Sequence, residues 1–180
     1  MLWNRNFSLL IAANILLYIA VYMLFPLIHR WMIQAWSCSE LQAAGVTAVF
    51  GIALFLPGAF NNYLVDTFSR KNVCTRSIML LALVGMLYPY VSSVEMVILL
   101  RILQGALFGI VLMATGSTLA IDVTPSNNRN AANRVFTWSS IVGMLSGIII
   151  GIEGGNYLSF DTLLYFSAFY VRLPLCLFPW

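Results

Sequence analysis

The chain has 180 residues, of which 61% are hydrophobic and only 8% charged, with a net charge of +3 and a mean hydropathy of +0.91. A soluble domain carries about 25% charged residues and needs that polar surface to face water, so the composition excludes a soluble globule and points to an integral membrane protein. It also excludes a nucleic-acid binder, since nine bases scattered among apolar runs cannot assemble a basic face outside lipid.

Apolar runs of roughly 20 residues divided by short polar breaks predict six membrane-spanning helices, at 7–28, 43–65, 77–92, 96–121, 134–157 and 162–180. The first run is too long for a signal-peptide core, and His29-Arg30-Trp31 is no small-residue cleavage site, so it reads as a retained span. The runs are about twice the length of a barrel strand and lack alternation, which selects an all-α bundle. The last run ends at Trp180 with nothing polar after it, which reads as a fragment or a half-length chain. Arg5, Arg70, Lys71, Arg76, Arg129 and Arg134 fall on one side of the membrane and only Arg30 on the other, which sets a cytoplasmic N-terminus in a cell membrane.

Taken in chain order, the first span carries Asn14, Tyr18 and Tyr22 at i, i+4 and i+8, one stripe of a greasy helix, with Pro26 following. Such a stripe suits a substrate-facing side, or else tyrosines packed between helices. Between the second and third spans stands Asn62-Tyr-Leu-Val-Asp66-Thr-Phe-Ser-Arg70-Lys71, a charged turn that a bilayer tolerates only at its surface. The fourth span opens with Arg101-Ile-Leu-Gln104-Gly105-Ala-Leu-Phe108-Gly109. Arg101 lies roughly 9 Å along the helix from Glu95, so it either faces the bundle interior with Gln104 or snorkels to the interface. Asp122-Val-Thr-Pro125 then leads through Asn127, Asn128 and Arg129 to the fifth span, where Gly143, Gly147, Gly151 and Gly155 form a smooth stripe for close helix packing. Trp138 reads as an interface anchor, and Arg172, deep in the sixth span, as a buried cation in need of a partner.

The charged turn, the Arg-x-x-Gln-Gly segment and the acid-Pro-base connection together resemble the major facilitator superfamily. The turn matches the family's Gly-x-x-x-Asp-(Arg/Lys)-x-Gly-Arg-(Arg/Lys) loop at Asp66, Arg70 and Lys71, while Asn62, Thr67 and Ser69 depart from it. The resemblance implies the N-terminal six-helix half of a secondary transporter that moves a small solute by alternating access. It implies that Asp66, Arg70 and Lys71, with Asp122 and Arg129, form a conformational latch, and that Asn14, Tyr18, Tyr22, Arg101, Gln104 and Phe108 line the substrate cavity. Gly105, Gly143, Gly147 and Gly151 would serve helix packing.

The implied partners are a small-molecule substrate, the lipid bilayer, and a second six-helix half or a second copy, with proton coupling left open. No cofactor or metal is implied: Cys38, Cys74, Cys176 and the single histidine, His29, have no ligand spacing. An intramembrane enzyme would need a nucleophile with a base, and neither His29 nor Ser117 has a companion at helical spacing, so no enzyme is expected. A non-transporting assembly partner is the remaining alternative.

Overall fold

A computed structural model describes residues 3–60, 70–118 and 123–177. The described residues form helices and connecting turns, with no strand among them. The first helix, α1 (Arg5–Tyr22), starts at Asn4, whose side chain accepts the Phe7 N–H at 2.7 Å. It stops at Tyr22 for a covalent reason. Pro26 has no N–H to return to the Tyr22 carbonyl four residues earlier, and its ring crowds that carbonyl. After Met23 the chain resumes as α2 (Leu24–Trp36).

Together α1 and α2 make one apolar stretch of 32 residues, about 48 Å at helical rise against a hydrocarbon core of about 30 Å. The helix therefore continues well past the expected end at residue 28. His29 and Arg30 mark where the chain leaves lipid, not where the hydrogen bonding stops.

The next helix, α3 (Glu40–Ala53), opens with a reciprocal capping box: Ser39 Oγ accepts the Gln42 N–H at 3.2 Å and Gln42 Oε1 accepts the Ser39 N–H at 3.1 Å. A tighter 3-10 turn at Leu56–Phe60 follows it, around Pro57. Then come α4 (Arg70–Leu87) with a 3-10 extension at Tyr88–Tyr90, α5 (Val94–Thr118), α6 (Arg129–Tyr157) and α7 (Phe160–Leu177). Thus α4 starts seven residues before the expected 77, because its first turns carry Arg70, Lys71 and Arg76 outside the apolar run. Five helical stretches among the described residues are long and apolar enough to cross a membrane. The sixth expected span corresponds to the 18-residue α7.

Two parallel helix pairs organise the bundle, and glycine makes both. On α6, a Cβ added at Gly143 would lie 2.8 Å from the Ile15 oxygen, and one at Gly147 2.7 Å from the Ile19 oxygen. One at Gly151 would strike the Met23 oxygen, and one at Gly155 would meet Leu27 at 3.3 Å. Contacts that climb four residues at a time on both helices define a parallel pair in step, and the small residues let backbone meet backbone. On α5, Gly105 and Gly109 do the same against Phe50 and Ala53 of α3 and Leu54 at its C-terminal cap. The helix α4 packs between α5 and α7, α7 returns to α1, and α2 rests on α3 and α6.

The outer surface is oily all round: Ile52, Met79, Leu99, Ile149 and Phe169 are each at least half exposed. That inversion of the soluble pattern identifies lipid as the solvent of this face. Arg172 is corrected here. It was expected to be buried in α7, but its side chain is exposed on the bundle surface.

Candidate functional site

Among the described residues one charged side chain is buried inside the bundle. Arg101, projecting from the second turn of α5, is fully buried. Its Nη1 donates to Gln104 Oε1 at 3.2 Å and its Nη2 to the Leu24 carbonyl at 3.3 Å, while Nε has no partner. The guanidinium lies over the Phe25 ring, 4.9 Å from its centroid, with the Phe50 centroid at 5.8 Å. No carboxylate among the described residues comes within ion-pair distance of Arg101; its neighbours are carbonyl dipoles and aromatic faces. The cation–π contacts are each worth about 2 kcal/mol when desolvated, and they hold a charge that costs roughly 3 kcal/mol even by the mildest insertion scale.

Gln104 is the junction. Its Oε1 accepts a second bond, from the Tyr88 hydroxyl at 2.9 Å, and both residues are buried. At this network α5, the first span and the turn after α4 all meet.

Next to the cation an aromatic cluster fills the space between α1, α2, α3 and α5. Tyr18 and Tyr22 stack at 5.6 Å, Tyr22 and Phe25 at 4.9 Å, and Phe108 meets Tyr18 edge-on at 5.3 Å. Phe50 joins Phe25 at 5.1 Å and Phe108 at 5.9 Å. The structure thus brings together Tyr18, Tyr22, Phe108, Arg101 and Gln104.

Asn14 sits on the α6 side of the same span, fully buried. Its Nδ2 donates to Ser139 Oγ at 2.8 Å and Ser140 Oγ at 2.9 Å, and both hydroxyls donate on to the Phe136 carbonyl. Its Oδ1 has no partner.

Sequence reasoning missed Phe25, Phe50, Tyr88, Ser139 and Ser140. Phe25 continues the stripe of Tyr18 and Tyr22 at helical spacing and was there to be found. Phe50 and Tyr88 carry no local signal, because only tertiary packing brings them to Arg101.

The proposed latch is not assembled in view. Asp66 and Asp122 lie outside the described residues, as do the side chains of Arg70 and Lys71, while Arg129 opens α6 exposed. Trp138 is 66% exposed on α6. Among the described residues no three His, Cys, Asp or Glu side chains gather to hold a metal.

These features define a multi-pass helical membrane protein with a buried cation and an aromatic cluster joining its first and fourth spans. The sequence model of the Major Facilitator Superfamily matches residues 10–178, and the chain belongs to that family. It is similar to the Staphyloferrin B transporter of Staphylococcus aureus (strain NCTC 8325 / PS 47), with 27% identity over 187 residues that cover 98% of this chain and 43% of that protein. The chain therefore spans less than half the length of that relative.

Proposed function

We propose that this chain supplies the N-terminal six-helix half of a secondary transporter that moves a small solute across the cell membrane by alternating access. Family membership and the transporter relative support the class. The observation that carries the reading within this chain is Arg101, fully buried without a carboxylate partner among the described residues and hydrogen-bonded to the backbone of the first span at Leu24. A structural role alone is better served by an apolar residue, since exchanging a buried charge for well-packed hydrophobics is often neutral or stabilising. A charge kept in the bundle interior marks a functional path.

In this reading the aromatic cluster of Tyr18, Tyr22 and Phe108 forms the wall that a solute meets, and Asn14 and Gln104 offer polar positions beside it. Arg101 ties α5, which carries Phe108, to the first span, which carries Tyr18 and Tyr22, so that rocking of this half against a second one moves the wall as a unit. The loop residues Asp66, Arg70 and Lys71, with Asp122 and Arg129, close the cytoplasmic end, and the N-terminus faces the cytoplasm.

The test is solute uptake or efflux by the full-length protein carrying Arg101→Ala and Arg101→Lys, alongside a melting curve for each. Arg101→Ala is expected to abolish transport. Arg101→Lys, a point charge without the planar fork, should restore only part of it. Wild-type transport in both variants would refute the assignment.

A further inference from the structure

The end of the bundle remote from the N-terminus holds two adjoining cavities that the transport reading does not use. The upper one, about 200 Å³, lies between α2 and the turn joining α6 to α7. Arg30, Gln34 and Ser159 supply its polar wall, and Leu27, Trp31 and Phe160 its apolar one. Trp31 and Phe160 stack in parallel at 4.6 Å, and Trp31 also meets Trp36 at 4.6 Å. The lower cavity, about 460 Å³, lies between α1, α6 and α7, and is lined by Ile19, Met23, Ile150, Leu163 and Phe166, with Glu153 as its one acid. Leu158 borders both.

Three observations select an occupant. Arg30 is exposed, and its partners among the described residues are neutral: the Gly155 carbonyl at 3.2 Å and Asn156 Oδ1 at 2.9 Å, both through Nη1. Nη2 and Nε remain for an anion, and a guanidinium fork matches phosphate oxygens. The depth is also right. Arg30 lies about 37 Å along the helix from Arg5, beyond a hydrocarbon core of about 30 Å and beside two tryptophans, the residues that mark the headgroup layer. Below it, the apolar cavity opens onto the bundle surface past Ile150 and Phe166, which are 43% and 47% exposed. A soluble anion would use only the upper half of this arrangement.

We infer that these cavities bind one phospholipid, with its phosphate held by Arg30, Gln34 and Ser159 and an acyl chain in the groove between α6 and α7. The lipid would wedge the α6–α7 turn against α2, and the site is independent of whether the chain transports.

The experiment is native mass spectrometry of the purified, delipidated full-length protein titrated with phosphatidylglycerol, reading the affinity of the first lipid bound. Arg30→Ala should weaken it about tenfold, the loss of a charge-assisted bond. Ile150→Trp, at an exposed position that tolerates bulk, should fill the groove and weaken it roughly fourfold for each methylene evicted. Asn156→Ala removes Arg30's partner on α6 and should leave lipid affinity unchanged, with inorganic phosphate failing to displace the lipid. Wild-type affinity in both Arg30→Ala and Ile150→Trp would overturn the inference. So would an Asn156→Ala defect as large as that of Arg30→Ala, which would reduce Arg30 to a strap, or displacement by inorganic phosphate, which would make this a soluble-anion site.

Discussion

Gly147→Ala and Gly85→Ala are the same substitution in two helices, and the structure gives them opposite signs. A Cβ at Gly147 would lie 2.7 Å from the Ile19 oxygen, 3.0 Å from the Ile19 Cα and 3.2 Å from the Met23 nitrogen. All three atoms are backbone, so no side chain can swing away and α1 must separate from α6. Overpacking of this kind costs about 1–3 kcal/mol, offset by the roughly 1 kcal/mol that Ala gains over Gly in a helix. The net loss is up to about 2 kcal/mol, a fall of up to roughly 8 °C for a protein of this size. A Cβ at Gly85, in α4, meets nothing within 4 Å, so only the propensity gain remains. Its melting temperature should rise by roughly 1–4 °C. The assay is thermal unfolding of the purified protein in one detergent, each variant against wild type. Melting shifts of the same sign in both variants would refute the packing argument.

Two further outcomes follow from the site and the topology. Tyr88→Phe deletes the hydroxyl that donates to Gln104 Oε1 but leaves that oxygen its bond from Arg101, so it should cost only about 1 kcal/mol, visible as a small drop in melting temperature. A loss several times larger would mean that Tyr88 holds more than this bond. In a Cys176→Ser background, a membrane-impermeant maleimide applied to intact cells should label the half-buried Cys38 and spare the buried Cys74. Labelling only after lysis would reverse the proposed orientation.

The ends of the helices differ from the ends of the apolar runs, for a reason visible in particular residues. Hydropathy reports which solvent a segment prefers, not where backbone hydrogen bonds stop. Arg30 and Arg70 therefore read as loop, yet one lies inside α2 and the other opens α4. The break after Tyr22 is legible through Pro26, and the start of α3 through the Ser39–Gln42 capping box. Gln104 is three residues from Arg101 on one helix, so their pairing follows from helix geometry. The aromatic faces over Arg101 come from two other helices, and no local pattern announces them. Arg172 misled because depth in a span says nothing about which side of the helix looks inward.

The in-step pairing of α1 with α6 also dictates an order of events during synthesis. Asn14 and Ser139 are 125 residues apart in the chain, so at 5–20 residues per second α1 waits roughly 6–25 s for its partner to be made. Throughout that interval the backbone of Ile15, Ile19 and Met23 is without its glycine neighbours and Asn14 is without its serines. The first span thus enters the membrane as the strand of a zipper whose other strand arrives fifth. Whatever shelters Asn14 during the wait, whether the insertion machinery or a transient neighbour, must release it when α6 appears. Substitutions on the glycine face of α6 will then register in how much protein accumulates before they register in what the accumulated protein does.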